Sequence, residues 1–244
     1  MADRATRALS FGANAAQYER ARPEYPLEAA RWLVGGDPEA VVEIGAGTGK
    51  LTRALSQVAA RVVAVEPDER MLDVLRGLAL PRVETAVGTA EALPVGDASA
   101  DAVASGSAFH WFDLERALPE IARVLRPGGV LGFAWNRRDD GEPPMELLSE
   151  LIRGDGSEQR RWHDRDWAGL VEASGLFERP ERTELRHVLS LPAAGLPDLL
   201  RSYSRIGTLP PDEQEAVIGR ACAAFGGDPL ELPFVVECYR ARVI

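Results

Sequence analysis

A chain of 244 residues that is 45% hydrophobic is long enough for one sizeable α/β core and too short for a comfortable second domain. Its formal charge of −10 and calculated pI near 4.9 oppose nucleic-acid phosphates, so no nucleic-acid partner is expected. The polar start "MADRATRALSFG", the lack of any bilayer-length apolar run and two distant cysteines, Cys222 and Cys238, predict a cytoplasmic protein without membrane association, disulfide or metal.

From residue 27 onward, helix-like and strand-like stretches alternate. "LEAARWLV" (27–34) predicts a helix and "AVVEIGA" (40–46) a buried strand that ends in glycines. "LTRALSQVA" (51–59) is helical, "RVVAVEP" (61–67) a second strand, "ERMLDVLRGL" (69–78) a helix and "VETAVG" (83–88) a third strand. "ADAVASGSA" (100–108), the helix "LERALPEIARVL" (114–125) and "GVLGFAWN" (129–136) continue the rhythm. Near-continuous apolar strands separated by helices predict a parallel sheet covered on both faces, a doubly wound α/β fold. Beyond residue 137, "RRDDGEPP" reads as a loop, and "MELLSELI" and "WAGLVEASG" as helices. "RTELRHVLSL" (182–191) and "ELPFVVECYRARV" (231–243) predict two more strands. Between them lie "LPDLLRSYSRI" and "PDEQEAVIGRACAAF", a helical insertion too long for a hairpin loop and of the kind that covers ligand sites.

The glycine loop at 45–49 admits three readings. A phosphate-binding P-loop would need glycine where Ile44 stands and a hydroxyl where Leu51 stands, and so fails twice. A dinucleotide fingerprint would need a third glycine where Lys50 stands, and a side chain there obstructs close helix–strand packing. The remaining pattern is E-x-G-x-G-x-G over residues 43–49, with Glu66 about twenty residues on, where an acid can accept from both ribose hydroxyls.

That pattern resembles motif I of the class I S-adenosylmethionine-dependent methyltransferases. "GTAEALPVGDASADAV" (88–103), "AFHWFD" (108–113) and "RVLRPGGVL" (123–131) resemble the type 11 branch in order and spacing. "YERARPEYP" (18–26) is similar to a segment of relatives that include the trans-aconitate methyltransferases. The resemblance runs strongly over about residues 11–136 and loosely beyond. It implies a seven-stranded, mostly parallel sheet whose last two strands form an antiparallel hairpin. It also implies a domain over 27–244, a lid segment over 1–26 and a helical cap over 193–229.

The resemblance further implies S-adenosylmethionine as cofactor and a small-molecule methyl acceptor; oxygen, as of a carboxylate, is the expected methylated atom, and fold analogy leaves carbon and nitrogen open. A binding protein that holds the same ligand without transfer is the rival. Gly45, Ala46, Gly47 and Gly49 would bring the backbone to the cofactor's methionine and ribose portion, and Glu43 would reach its amino group. Glu66 would bind the ribose, Pro67 would pack on the adenine, and Thr89 and Ala90 would meet the adenine edge. Many relatives carry aspartate at position 89. Ser107 joins this set, and Tyr18 and Arg22 would close over it, with Arg22 pairing with the cofactor carboxylate. His110 and Trp111 would face the acceptor. His110 either removes its proton or only lines the pocket. Arg201, Tyr203 and Arg205 of the insertion are candidates for an acidic acceptor, while His163 and His187 read as strand or surface histidines without partners.

Overall fold

The computed structural model describes residues 15–153 and 165–244. The first described helix, α1 (Ala15–Ala21), precedes α2 (Leu27–Leu33), which buries Ala29, Ala30 and Leu33. Then follow β1 (Ala40–Ile44), α3 (Thr52–Val58), β2 (Arg61–Glu66), α4 (Glu69–Gly77), β3 (Val83–Val87), β4 (Ala100–Gly106) and α5 (Leu114–Val124). Asp68 caps α4 by accepting from the Arg70 backbone N–H, which satisfies a donor that the first turn cannot use internally. In α5 the buried residues Ala117, Leu118, Ile121 and Val124 recur at helical spacing, so one stripe faces the sheet.

β5 (Leu125–Arg138) is longer than the sequence predicts at its carboxyl end. Arg137 and Arg138, read as loop, continue the strand because they pair with Val235 and Phe234 of β7 (Leu230–Arg242). The chain between them forms α6 (Pro143–Arg153), α7 (Trp167–Glu172), β6 (Glu181–Leu191), α8 (Leu196–Arg201), α9 (Ser204–Gly207) and α10 (Pro211–Ala224).

The strands form one sheet in the order β3-β2-β1-β4-β5-β7-β6. β1 to β5 pair in parallel, and β7 runs antiparallel to both β5 and β6. The order reverses between β1 and β4, and in open α/β sheets ligands bind at the carboxyl ends of strands at such a reversal. On one face, Phe109, Phe133 and Trp135 pack with α5 and α7; on the other, Leu33, Leu51, Leu55 and Val62 pack beneath α2 and α3. A further apolar cluster joins Leu196, Leu199, Leu200 and Ile206 to Met145, Leu148 and Ile152 of α6 and to Leu230 and Phe234 of β7. The cap is therefore seated on a core of its own, which also takes in Ala21 of α1. Among the described residues no helix is long and apolar enough to cross a membrane.

Candidate active site

β1 delivers the chain to the reversal point and the glycine loop turns it there. Gly45 and Ala46 both donate to the Val65 carbonyl, at 2.8 and 3.1 Å, which fastens the loop against β2. At Gly45 the backbone has φ +69°, and a Cβ would stand 2.4 Å from Cβ of Ala108, so only glycine lets the loop lie against the end of β4.

Glu66, at the end of β2, stretches across this loop. Its Oε2 accepts from Gly47 N–H at 3.0 Å and its Oε1 from Asp68 N–H at 3.1 Å. One carboxylate thus ties the loop to the start of α4, and each oxygen keeps a lone-pair site for a further donor. Burial pushes its carboxyl up, and the two backbone bonds oppose that shift.

Glu43 lies beneath the loop, 1% exposed. Its Oε2 has no partner among the described residues, and desolvation pushes the carboxyl up to about 8, with the neighbouring Thr52 hydroxyl and the Glu66 charge acting less strongly. A buried acceptor left unfilled is costly, and such an atom beside a ligand loop fits a donor supplied from outside the chain.

Lys50 is the sole lysine of the chain and stands where a dinucleotide fingerprint would need its third glycine. α3 starts only at Thr52, and the Lys50 side chain leaves the loop towards α1. Its ammonium donates to the Glu19 carbonyl and faces Glu19 Oε1 at 3.5 Å. Arg53 pairs with the same Glu19 carboxylate and lies 3.5 Å from that of Glu24. Two cations from the loop and α3 therefore hold the segment that carries Tyr18 and Arg22. Downstream in that segment, the Tyr25 hydroxyl meets Ser107 Oγ at 2.7 Å, and Asn136 Nδ2 donates to the Glu24 carbonyl. Ser107 itself has φ +55° at the end of β4.

The 108–113 segment separates its aromatics. Phe109 and Phe112 are buried, and Phe109 stacks on Phe133 at 4.1 Å, whereas His110 and Trp111 stay partly exposed. Trp135 Nε1 donates to His110 Nδ1 at 3.1 Å. An indole nitrogen can only donate, so Nδ1 accepts and the neutral ring carries its proton on Nε2. Pro67 and Thr89 lie exposed and Ala90 buried past the ends of β2 and β3. Glu91 Oε1 accepts from the Asp113 backbone, joining the 88–94 turn to the start of α5.

The three cap candidates are not brought together. Arg201 donates to Gln214 and Glu215 of α10, and Arg205 to the Leu151 and Ile152 carbonyls at the end of α6, so both hold the cap itself. Only Tyr203 faces the lid, where the Arg22 guanidinium lies 3.9 Å from its ring centre. The Arg22 Nη2 donates to the Ser202 carbonyl. His187 has a partner, contrary to the sequence reading: its Nε2 meets Asn136 Oδ1 at 2.9 Å, and burial lowers its pKa. His163 and residues 1–14 of the expected lid lie outside the described residues. Among the described residues no cluster of side chains could hold a metal ion.

Comparison with known proteins adds an independent observation. A "Methyltransferase domain" family model matches residues 42–133. An uncharacterized methyltransferase of Mycobacterium tuberculosis is 41% identical over 242 residues, 96% of each chain. A malonyl-[acyl-carrier protein] O-methyltransferase of Methylococcus capsulatus is 39% identical over 142 residues, 52% of this chain and 50% of that one. The solved structure of a type II methyltransferase from Anaeromyxobacter dehalogenans superposes with a TM-score of 0.68 at 27% identity, covering 90% of this chain and 97% of that one.

Proposed function

Because the chain belongs to the type 11 branch of the class I S-adenosylmethionine-dependent methyltransferases, we propose that it methylates an oxygen of a small acidic acceptor held beneath the cap. The observation that carries the reading is the pair of carboxylates at the reversal point, Glu66 bonded to the fixed glycine loop and Glu43 buried with an oxygen left unpartnered. They fit the group that the family implies: Glu43 would meet its amino group, Glu66 its ribose, and Gly45 to Gly49 its methionine portion. When bound, S-adenosylmethionine supplies a methyl group on a sulfonium, which is already a good leaving group. The work left to the chain is alignment and exclusion of water. In this reading α1, tied to the glycine loop through Lys50 and Glu19 and to the cap through Arg22 and Tyr203, closes the site. The malonyl O-methyltransferase among the relatives supports oxygen as the methylated atom.

Titration calorimetry with S-adenosylhomocysteine tests the cofactor. Saturable binding is expected, and heat with NAD but none with S-adenosylhomocysteine would refute the reading. Glu66→Ala removes a charged acceptor and the loop's tie to α4, so affinity should fall by about 1.5–3 kcal/mol, roughly 10- to 150-fold. An unchanged dissociation constant in the folded variant would remove Glu66 from the site.

His110 acts in this reading as a hydrogen-bond donor to the acceptor. The Trp135 bond on Nδ1 fixes the Nε2–H tautomer, and a general base would need that proton absent. Glutamine places an N–H near the Nε2 position. His110→Gln should therefore keep kcat within about tenfold of wild type, while His110→Ala loses about a hundredfold. Equal losses in both variants, measured as labelled-methyl transfer, would restore the base.

A further inference from the structure

We infer that Arg22, Tyr203 and Arg138 form an anchor for a carboxylate of the acceptor that is separate from the methylated oxygen; this rests on the methyl-transfer reading above. Tyr203 is 4% exposed and lies between the lid, the cap and the end of β5. The Arg22 guanidinium carbon is 3.9 Å from its ring centre and that of Arg138 is 5.0 Å away, so the two cations stand within about 9 Å of each other.

The charge around this ring is only partly balanced, by Asp140, whose carboxylate accepts from the Ser149 hydroxyl beside Arg138. Arg22 forms no ion pair among the described residues, and its Nε is buried without a hydrogen-bond partner. Arg138 is 13% exposed and gives its Nε to Ser149 Oγ at 2.6 Å. The carboxylate within 4 Å of it, that of Asp140, is 3.9 Å away and half exposed. The Tyr203 hydroxyl is buried and has no partner either. Two cations, an unused N–H and an unused O–H thus lie around one buried ring, and removal of charge from water is tolerated only with a counter-ion. A carboxylate supplies that counter-ion and accepts from guanidinium and phenol alike.

The anchor is distinct from the reacting oxygen. Arg138 lies three residues beyond Trp135, the residue that bonds His110, so the two side chains leave β5 on opposite faces with their Cα atoms roughly 10 Å apart along the strand. An oxygen held by two guanidinium groups is also a weak nucleophile. The acceptor class is therefore a compound with at least two oxygen functions, a dicarboxylic or hydroxycarboxylic acid, one held here and the other presented for methylation.

The experiment titrates glutarate, with the neutral glutaramide as control, into protein saturated with S-adenosylhomocysteine, followed by calorimetry. Glutarate should bind saturably and glutaramide should not. Arg138→Gln and Arg22→Gln should each weaken glutarate at least tenfold, Arg138→Lys should recover part of that loss, and S-adenosylhomocysteine affinity in Arg138→Gln should stay within threefold. Equal behaviour of glutarate and glutaramide, or glutarate affinity that survives both substitutions together, overturns the anchor. A tenfold loss of S-adenosylhomocysteine affinity in Arg138→Gln also overturns it and assigns the guanidinium to the cofactor's own carboxylate. Failure of the wild-type protein to bind S-adenosylhomocysteine is a separate outcome that overturns the cofactor reading first and the anchor with it.

Discussion

Replacing Glu43 by glutamine is expected to stabilise the ligand-free protein at pH 8 and to abolish a proton release that accompanies cofactor binding. Glu43 is buried with one oxygen unpartnered, and burial raises its carboxyl to about 8. The folded protein therefore holds a proton on Glu43 between the ordinary carboxylate range and pH 8, whereas the unfolded chain has already lost it. Over that window the unfolded state binds fewer protons, so stability falls as pH rises, by about 1.4 kcal/mol per unit for this one group. Glutamine has no such slope. The difference in urea unfolding free energy between variant and wild type should thus move by about 3 kcal/mol from pH 5.5 to 7.5, in favour of the variant; other groups cancel in the subtraction. An ammonium placed beside Glu43 favours its ionised form, so cofactor binding at pH 6.5 should release close to one proton. Calorimetry in two buffers of different ionisation enthalpy reads that release. Parallel pH slopes for the two proteins, together with buffer-independent heats, would show that Glu43 is ionised before the cofactor arrives.

What could be read from the sequence was local. The strand ending in Gly45, the acid at Glu66 and the turn through Gly88 to Pro94 are set by periodicity and by spacings of a few tens of residues. The long-range partners were not visible in this way. Arg138 reads as loop because "RRDDGE" is charged, and its strand character comes from pairing with Phe234, nearly a hundred residues later. The Trp135 bond that fixes the His110 tautomer and the Asn136 contact that partners His187 both depend on which strand ends share an edge. Arg201 and Arg205 looked available because a helical stretch does not disclose its neighbours; α10 and the end of α6 use them. The one overlooked local signal was Lys50. A single lysine among 28 basic residues stands directly after the glycine loop, and its ammonium serves the purpose, shared with Arg53, of holding α1 at Glu19.

That purpose is tested by substituting alanine for Glu19, which is expected to free α1 and to cost both stability and cofactor affinity. The Glu19 carboxylate neutralises Arg53 and faces Lys50, with the three side chains 14%, 23% and 11% exposed. Burial lowers the Lys50 pKa, and the Glu19 charge is the chief effect opposing that shift. Without the carboxylate, two largely buried cations stand together with only the more distant and exposed Glu24 nearby, and breaking such a pair typically costs about 3–5 kcal/mol. The chain has a cheaper response than global unfolding, which is to let α1 lift so that water solvates both cations. Lifting α1 carries away Tyr18, which lies within reach of the Glu66 charge, so the dissociation constant for S-adenosylhomocysteine should rise tenfold or more. The sole lysine reports the motion directly. An amine-acylating reagent modifies only Lys50 and the chain's α-amino group, which peptide mapping separates. Lys50 should react slowly in the wild type, more slowly with S-adenosylhomocysteine, and at least tenfold faster in Glu19→Ala. Loss of Glu19 also lowers the basicity of the amine, so rates are compared after extrapolation to its fully deprotonated form. If Lys50 then reacts as slowly in the variant as in the wild type, α1 is held by its contacts with α8, where Gln17 and Arg20 meet Asp198, and the latch at Glu19 is not what closes the site.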